Sequence, residues 1–234
     1  MSDYPELERK LTGILGGSRR PIAITFLDAP PEGVEQFQGS QPSSCSFWRM
    51  AASGRTFYTV ADDHQNCPIG GYTHNVLRPD RMPDLQQALG LMGGIGYIRM
   101  EEVGGVFHLD QSPAAILYAP LGEARAEPSA VIACGKPSRV MLLAEAATRA
   151  GEMSRLPLLG RPTCMAIPAA IGAGVVASAG CIGNRVYTEI GDDEFYIMLR
   201  GASLGRIAGE IDTIESANRT LTDYHRERKA RLSA

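Results

Sequence analysis

The chain has 234 residues, of which 44% are apolar and 21% charged, and its formal net charge is -3. This composition excludes a disordered chain, and it argues against nucleic acid as a partner held by bulk positive charge. A chain of this length can bury a sizeable core without disulfide bonds, so we expect one domain over residues 1–234.

The first residues, Met-Ser-Asp-Tyr-Pro-Glu, lack the basic start and apolar stretch of a secretory signal, and no run of 18 apolar residues follows. We therefore expect a cytoplasmic protein with no membrane partner. Thiols stay reduced in the cytosol, and the chain has five cysteines, an odd number. A complete disulfide framework is thus not expected, which leaves metal binding, thiol chemistry or simple burial.

In the first half of the chain, turn and capping residues separate short apolar segments. Asp3 and Pro5 mark a helix start, and glycines at 16 and 17 mark its end. The predicted elements are a helix over 3–16, a strand over 21–27, a short helix capped by Ser43 or Ser44, a strand over 55–60, a helix starting near Cys67 and a helix over 83–92.

The second half alternates apolar strand candidates with helices. The predicted elements are short strands within 93–109, strands over 114–119 and 130–133, a helix over 139–150, a helix over 162–171 carrying Cys164, a strand over 175–177, a loop over 178–185, a strand over 194–199 and a C-terminal helix over 203–231. A strand, a tight turn and a helix in succession are typical of α/β proteins. We therefore predict an α/β or α+β domain, with a mixed sheet flanked by helices.

Apolar residues follow one another at spacings of three and four along the C-terminal helix, from Leu204 to Tyr224. We expect this stripe to pack on the core or on a second subunit. The basic tail after it is typical of a solvated helix end.

Four cysteines lie in settings that favour a thiolate. Cys67 precedes proline, and Cys181 lies between glycines, which hold a loop in one shape and let amides point at a sulfur. Cys45 and Cys164 lie near predicted helix starts, where the helix dipole favours negative charge. Cys134, at the end of an apolar strand, has the setting of a small buried hydrophobe.

The spacing of these four thiols leaves the choice of ligand set open. They are separated by 21, 96 and 16 residues, unlike the compact runs of ferredoxins or the paired knuckles of structural zinc sites. Only the fold can bring them together. Buried structural cysteines and free thiols are the alternative interpretation.

Four segments carry a resemblance: PIAITFLDAPPEGV, SCSFWRMAASGRTFYTVADDHQNCPIGG, PTCMAIPAAIGAGVVASAGCIGNRVY and GDDEFYIML. Together they resemble the uncharacterised bacterial and archaeal family catalogued as domain of unknown function 169, over most of the chain. The resemblance implies a cysteine at each of Cys45, Cys67, Cys164 and Cys181, the last in a Ser-x-Gly-Cys-x-Gly-x-Arg setting, and none at Cys134. It implies no reaction, because the family has no assigned one.

Two further residues are candidates for a catalytic role. His64 precedes Cys67 by three residues and could be a ligand, a proton donor or a solvated loop residue. Arg185 could direct a fixed charge at a cluster or an anionic substrate, or form a surface salt bridge with Glu194. His74 could face the same pocket. The glycine pairs lack the spacing of a phosphate loop, so we assign no residue to a nucleotide cofactor.

These observations favour a metal site of four thiolates, with a 4Fe-4S cluster preferred and zinc as the alternative. The predicted function is a redox or reductive step on a small molecule by an iron-sulfur oxidoreductase. An iron left open by a missing ligand would instead permit hydro-lyase chemistry. A non-catalytic metal or redox sensor and a zinc-stabilised binding protein remain open. The expected partners are a small-molecule substrate or an electron-transfer protein, with a homodimer as a candidate assembly.

Overall fold

The computed structural model describes residues 3–17 and 19–233, and these residues are built around one seven-stranded sheet. The strands are β1 (Ile22–Leu27), β2 (Phe57–Thr59), β3 (Ala115–Pro120), β4 (Ala130–Gly135), β5 (Leu158–Leu159), β6 (Val175–Ser178) and β7 (Phe195–Arg200). Their spatial order is β2-β3-β1-β4-β7-β6-β5. All neighbours pair antiparallel except β5 and β6, which are parallel. The predicted mixed sheet flanked by helices is therefore confirmed.

Helices cover both faces of this sheet. They are α1 (Tyr4–Leu15), α2 (Ser46–Ala52), α3 (Pro68–Thr73), α4 (Met82–Gly94), α5 (Pro137–Arg149), α6 (Ala166–Ala173), α7 (Ile182–Thr188) and α8 (Leu204–Leu232). Single turns of 3-10 helix occupy 61–64, 79–81, 100–105, 121–123, 163–165 and 201–203. None of the helices in the described part of the chain is long and apolar enough to cross a membrane.

Alternation along the strands divides the core into two layers. In β1, Ile22 and Ile24 join one apolar cluster and Ala23 joins the other, because successive side chains point to opposite faces. The first layer is closed by α2 and α6, with Trp48 and Ile167 fully buried. The second layer is closed by α1, α5 and α8. The α2 and α6 face carries the cysteines discussed below.

The ends of α1 are those that the sequence predicts. Asp3 accepts a hydrogen bond from the backbone amide of Glu6 at 3.0 Å, which satisfies a donor that the first helical turn leaves unpaired. Gly16 ends the helix in the left-handed region, at φ 86°, where a side chain would be strained. Local chemistry therefore determines where this helix starts and stops.

Three local predictions are wrong. The strands expected within 93–109 are the end of α4 and a 3-10 turn, because the backbone bonds locally, as from the Tyr97 amide to the Met92 carbonyl. The loop expected over 178–185 turns into α7 immediately after Cys181. Neither Ser43 nor Ser44 is the cap of α2, since Cys45 holds that position. The two-residue strand β5 was not predicted.

The C-terminal helix is confirmed, but its apolar stripe is buried only at its start. Leu204, Ile207 and Ile211 pack on α1 and α5, whereas Leu221 is 57% and Tyr224 48% exposed. The second half of the predicted stripe is therefore exposed and does not pack on the core. The predicted range 1–234 also includes Met1, Ser2, Ser18 and Ala234, which lie outside the described residues.

Candidate metal centre

The four cysteines singled out by the sequence each stand at the beginning of a helical segment. Cys45, Cys67 and Cys181 occupy the N-cap positions of α2, α3 and α7, and Cys164 lies in the 3-10 turn that leads into α6. Cys45 and Cys164 are buried, whereas Cys67 and Cys181 are partly exposed. Two of the four sulfurs are therefore accessible from outside the core.

A serine joins the first two cysteine segments. The Ser43 hydroxyl accepts from the backbone amide of Cys45 at 3.3 Å and lies 3.7 Å from the Cys67 sulfur. The approach is close because residue 70, in the first turn of α3, is glycine. A Cβ atom at Gly70 would lie 2.6 Å from the Ser44 hydroxyl and 2.9 Å from the Cys67 sulfur. The helix start that carries Cys67 is thus packed directly onto the segment that carries Cys45.

A threonine joins the other two segments. The backbone amide of Cys181 donates to the Thr163 hydroxyl at 2.5 Å, although the two residues are 18 positions apart. Thr163 is fully buried and precedes Cys164 directly. The loop that carries Cys181 is therefore fastened to the turn that carries Cys164.

The four sulfurs also act on one another electrostatically. Burial raises the pKa of Cys45, and the Cys67 and Cys181 thiols raise it further. Burial likewise raises the pKa of Cys164 well above its ordinary value, with contributions from Cys45, Cys67 and Cys181. Four negative thiolates in this environment would repel one another, so a positive centre among them is needed for the set to be deprotonated together.

The thiols nevertheless do not form a closed site for a single ion. Among residues 3–17 and 19–233, no group of three or more histidine, cysteine, aspartate or glutamate side chains is arranged to hold one metal ion. The structure brings the four cysteine segments to the same region without drawing their sulfurs around one point.

His64 lies behind this region as a buried, neutral side chain, and the solvated loop position considered for it is wrong. It is 1% exposed, and burial, with a smaller contribution from His74, lowers its pKa to about 3. Its Nε2 lies 2.8 Å from the Thr59 hydroxyl and its Nδ1 lies 2.9 Å from the Ser44 hydroxyl. Both nitrogens are therefore occupied, and the ring fixes the position of Ser44, next to Cys45.

Arg185 fastens the Cys181 loop by contacts to the backbone. Its guanidinium donates to the carbonyl oxygens of Ala179 at 2.5 Å, Gly191 at 3.0 Å and Glu194 at 3.3 Å. The ion pair considered with the Glu194 carboxylate is thus replaced by a contact to its carbonyl. A longer ion pair with the exposed Asp192 carboxylate, at 3.9 Å, completes the set.

Sequence reasoning missed Asn184, which is 2% exposed. Within the described residues, neither atom of its amide has a hydrogen-bond partner, which is costly for a buried polar group. The Asn184 amide and the Ser43 hydroxyl both lower the pKa of Cys45 and so oppose the effect of burial. Asn184 therefore lies beside the Cys45 sulfur. The Asn184 side chain fits at this position because residue 180 is glycine: a Cβ at Gly180 would lie 3.0 Å from Asn184 Oδ1.

A pattern in the sequence could have identified these supporting side chains. A hydroxyl residue directly precedes Cys45 and Cys164, and Asn184 lies within the Gly-Cys-Ile-Gly-Asn-Arg segment. Thr73, at the end of α3, lowers the pKa of Cys164 and so opposes the effect of burial on that thiol. The signal is therefore a hydroxyl residue directly before Cys45 and Cys164 and an asparagine three positions after Cys181.

Cys134 lies at the end of β4, where it is buried in the same apolar layer. Burial raises its pKa to about 12, and the nearby charges are those of Glu194, Arg19 and Arg185. Tyr196 is its register partner on β7, and burial raises the pKa of that phenol, with smaller contributions from both Cys134 and Cys45.

A family model described as Uncharacterised ArCR, the domain of unknown function 169, matches residues 10–209. This range contains all five cysteines, together with His64, Asn184 and Arg185. Neither the curated proteins nor the solved structures gave a match.

Proposed function

The chain belongs to the domain of unknown function 169 family, and we propose that it binds a 4Fe-4S cluster through Cys45, Cys67, Cys164 and Cys181 and uses it in a redox step on a small molecule. The observation that carries this proposal is that four separate cysteine segments are packed together: hydrogen-bonding contacts join them in pairs, and α3 packs on the turn that carries Cys164 while α2 packs on α7. Such a set is held together in one fold when a shared positive centre offsets the repulsion.

The spacing of the cysteines along the chain favours a cluster over zinc. Structural zinc sites typically take their cysteines as closely spaced pairs, whereas these four cysteines are separated by 21, 96 and 16 residues. A cluster spreads its ligands over several irons, so its sulfurs do not need to converge on a single point.

The supporting residues fit the same interpretation. The buried Asn184 amide, whose atoms have no hydrogen-bond partner among the described residues, stands beside Cys45, where its NH2 group would donate to a cluster-bound sulfur of negative character. Ser43 and Thr163 fasten the cysteine segments to one another in pairs. A bound cluster supplies single electrons.

His64 and Arg185 act in this proposal as positioning residues. His64 is neutral at physiological pH, and each of its ring nitrogens lies at hydrogen-bond distance from a hydroxyl. The Arg185 guanidinium donates hydrogen bonds to backbone carbonyls of and next to the Cys181 loop. Both therefore maintain the geometry of the thiols.

Purification without oxygen tests this function. We expect a brown protein with broad absorbance near ~400 nm and about four irons per chain. Cys181→Ala removes a proposed ligand, so iron content and colour fall. Cys134→Ala removes a buried thiol that is not a proposed ligand, so both stay at the wild-type level.

Three outcomes contradict the proposal. A colourless protein with one zinc per chain would indicate a structural site. A protein free of both metals after anaerobic preparation would refute a metal function. Equal losses of iron and colour in the Cys181 and Cys134 variants would mean that the loss does not identify Cys181 as a ligand.

A further inference from the structure

A cavity of about 400 Å³ lies beside the candidate metal centre, between α3, α4 and the 3-10 turn over 100–105. Cavities of this size are in the range of small-molecule sites. Cys181 and Gly183 form part of its wall, so the cavity reaches the start of α7. It thus joins the surface to one of the four cysteines.

The cavity wall is mainly apolar. Leu85, Leu89 and Met92 contribute from α4, and Ile98 and Val103 contribute from the segment after it. Of these, only Leu85 is buried, and the other four are partly exposed. Partly exposed apolar side chains around a cavity favour a ligand that covers them.

The charges in the wall compensate each other. Arg161 and Glu102 are the two charged residues of the wall, and their side chains pair at 2.9 Å. The Arg161 guanidinium also lies 4.9 Å from the centre of the Tyr97 ring. Each of the two charges therefore has a partner within the protein, and a charged ligand would have to break the pair.

The cavity and the metal centre share structural elements. Ile69 lines the cavity from α3, the helix that begins next to Cys67. Pro162 lines it directly before Thr163, whose hydroxyl accepts from the Cys181 amide. A molecule in the cavity would therefore lie against the segments that carry three of the four thiols.

We propose that this cavity binds an uncharged, mainly apolar small molecule next to Cys181. Its volume sets the ligand size, its leucine and methionine side chains supply the binding energy, and the Arg161 and Glu102 pair selects against net charge. The inference rests on the proposed function only for one point, that this molecule is the substrate of the redox step. Binding itself requires no metal.

Fluorescence titration of metal-free protein with N-phenyl-1-naphthylamine, an uncharged apolar probe, tests the inference. We expect saturable binding of one probe per chain. Leu89→Arg places a charge in the wall and should weaken binding about tenfold or more. Leu91→Arg is the matched control, because Leu91 is on the same helix, is 66% exposed and lies outside the wall. It should change the affinity less than about twofold.

A second measurement does not depend on any variant. The probe should slow the alkylation of Cys181 by N-ethylmaleimide in metal-free wild-type protein, as followed by peptide mass spectrometry, because it covers that side of the thiol. Absence of saturable binding, equal weakening by both arginine variants, or unchanged alkylation of Cys181 would each overturn the inference.

The experiment separates this inference from the proposed function. Probe binding in a protein that never carries iron would support the cavity and refute the cluster. A brown, iron-loaded protein whose metal-free form binds no probe would do the opposite.

Discussion

At the scale of single residues, the most unusual side chain is His74, which is fully buried without a hydrogen-bond partner on either ring nitrogen among the described residues. Its ring lies 5.7 Å from that of Phe26 and 6.1 Å from that of His64. Burial lowers its pKa to about 4. It is therefore a neutral imidazole held in an apolar layer at a cost in stability.

This burial predicts an acid-sensitive fold. The unfolded chain takes up a proton at His74 below about pH 6.5, whereas the folded chain does so only near its pKa of about 4. The unfolded state thus binds more protons between these values, and stability falls as the pH falls through that window, by up to ~1.4 kcal/mol per unit. His74→Leu should remove this contribution, leaving the one that His64, with a pKa of about 3, makes over the same window, and should raise the unfolding free energy at pH 7 by about 1 kcal/mol.

Urea unfolding at a series of pH values measures both effects. His108→Leu controls for loss of a ring from the unfolded chain, because His108 is exposed. A slope equal to that of the wild type in His74→Leu would contradict the buried, neutral state of this side chain.

At the scale of elements, the start of α3 is the tightest contact around the thiols. It packs on the Cys45 segment at a distance that only glycine permits, since any Cβ at Gly70 meets both Ser44 and Cys67. Ser44 cannot move away freely, because its hydroxyl lies at hydrogen-bond distance from the buried His64. A short helix, a serine and a histidine therefore form one packed unit.

Gly70→Ala is predicted to disturb this unit. We expect a loss of about 1–3 kcal/mol in the unfolding free energy, as for other overpacked sites, and reduced iron content after anaerobic purification. Gly90→Ala is the matched control, because a Cβ there meets nothing within 4 Å in helix α4. It should be neutral or stabilise by up to about 1 kcal/mol. Unchanged stability and iron in Gly70→Ala would contradict the close packing.

At the scale of the whole molecule, α8 extends beyond the body that it helps to build. It has 29 residues and is thus about 43 Å long. Its buried residues end at Ile211, with Ile214 partly buried, so the later turns bury little surface against the described elements. That a second copy of the chain covers these turns remains a prediction.

A chain that ends at Ala217 is predicted to keep the fold. Its unfolding free energy should stay within about 0.5 kcal/mol of the full chain, because the removed turns bury little. Denaturant unfolding and light scattering, each at two protein concentrations, measure stability and mass together. A loss above about 1 kcal/mol would mean that these turns cover apolar surface, either in the chain or in a dimer.

The sequence by itself determined most of the elements. Asp3 and Gly16 bound α1, and β-branched runs mark β1 and β4, because capping and propensity act within a few residues. It also separated Cys134 from the other cysteines by their neighbours. The strands wrongly expected within 93–109 show the limit of this reasoning, since a strand also requires a partner that sequence patterns do not reveal.

Only the tertiary structure decided what surrounds the thiols. Cys67 and Cys164 are separated by 96 intervening residues, and the Thr163 contact to Cys181 and the cavity beside it depend on how distant segments pack. His64 illustrates the reason: its polar sequence neighbours indicate a solvated loop, yet α2 and the sheet bury it. Burial is a property of the whole packed chain, and it determines the charge state that a side chain can adopt.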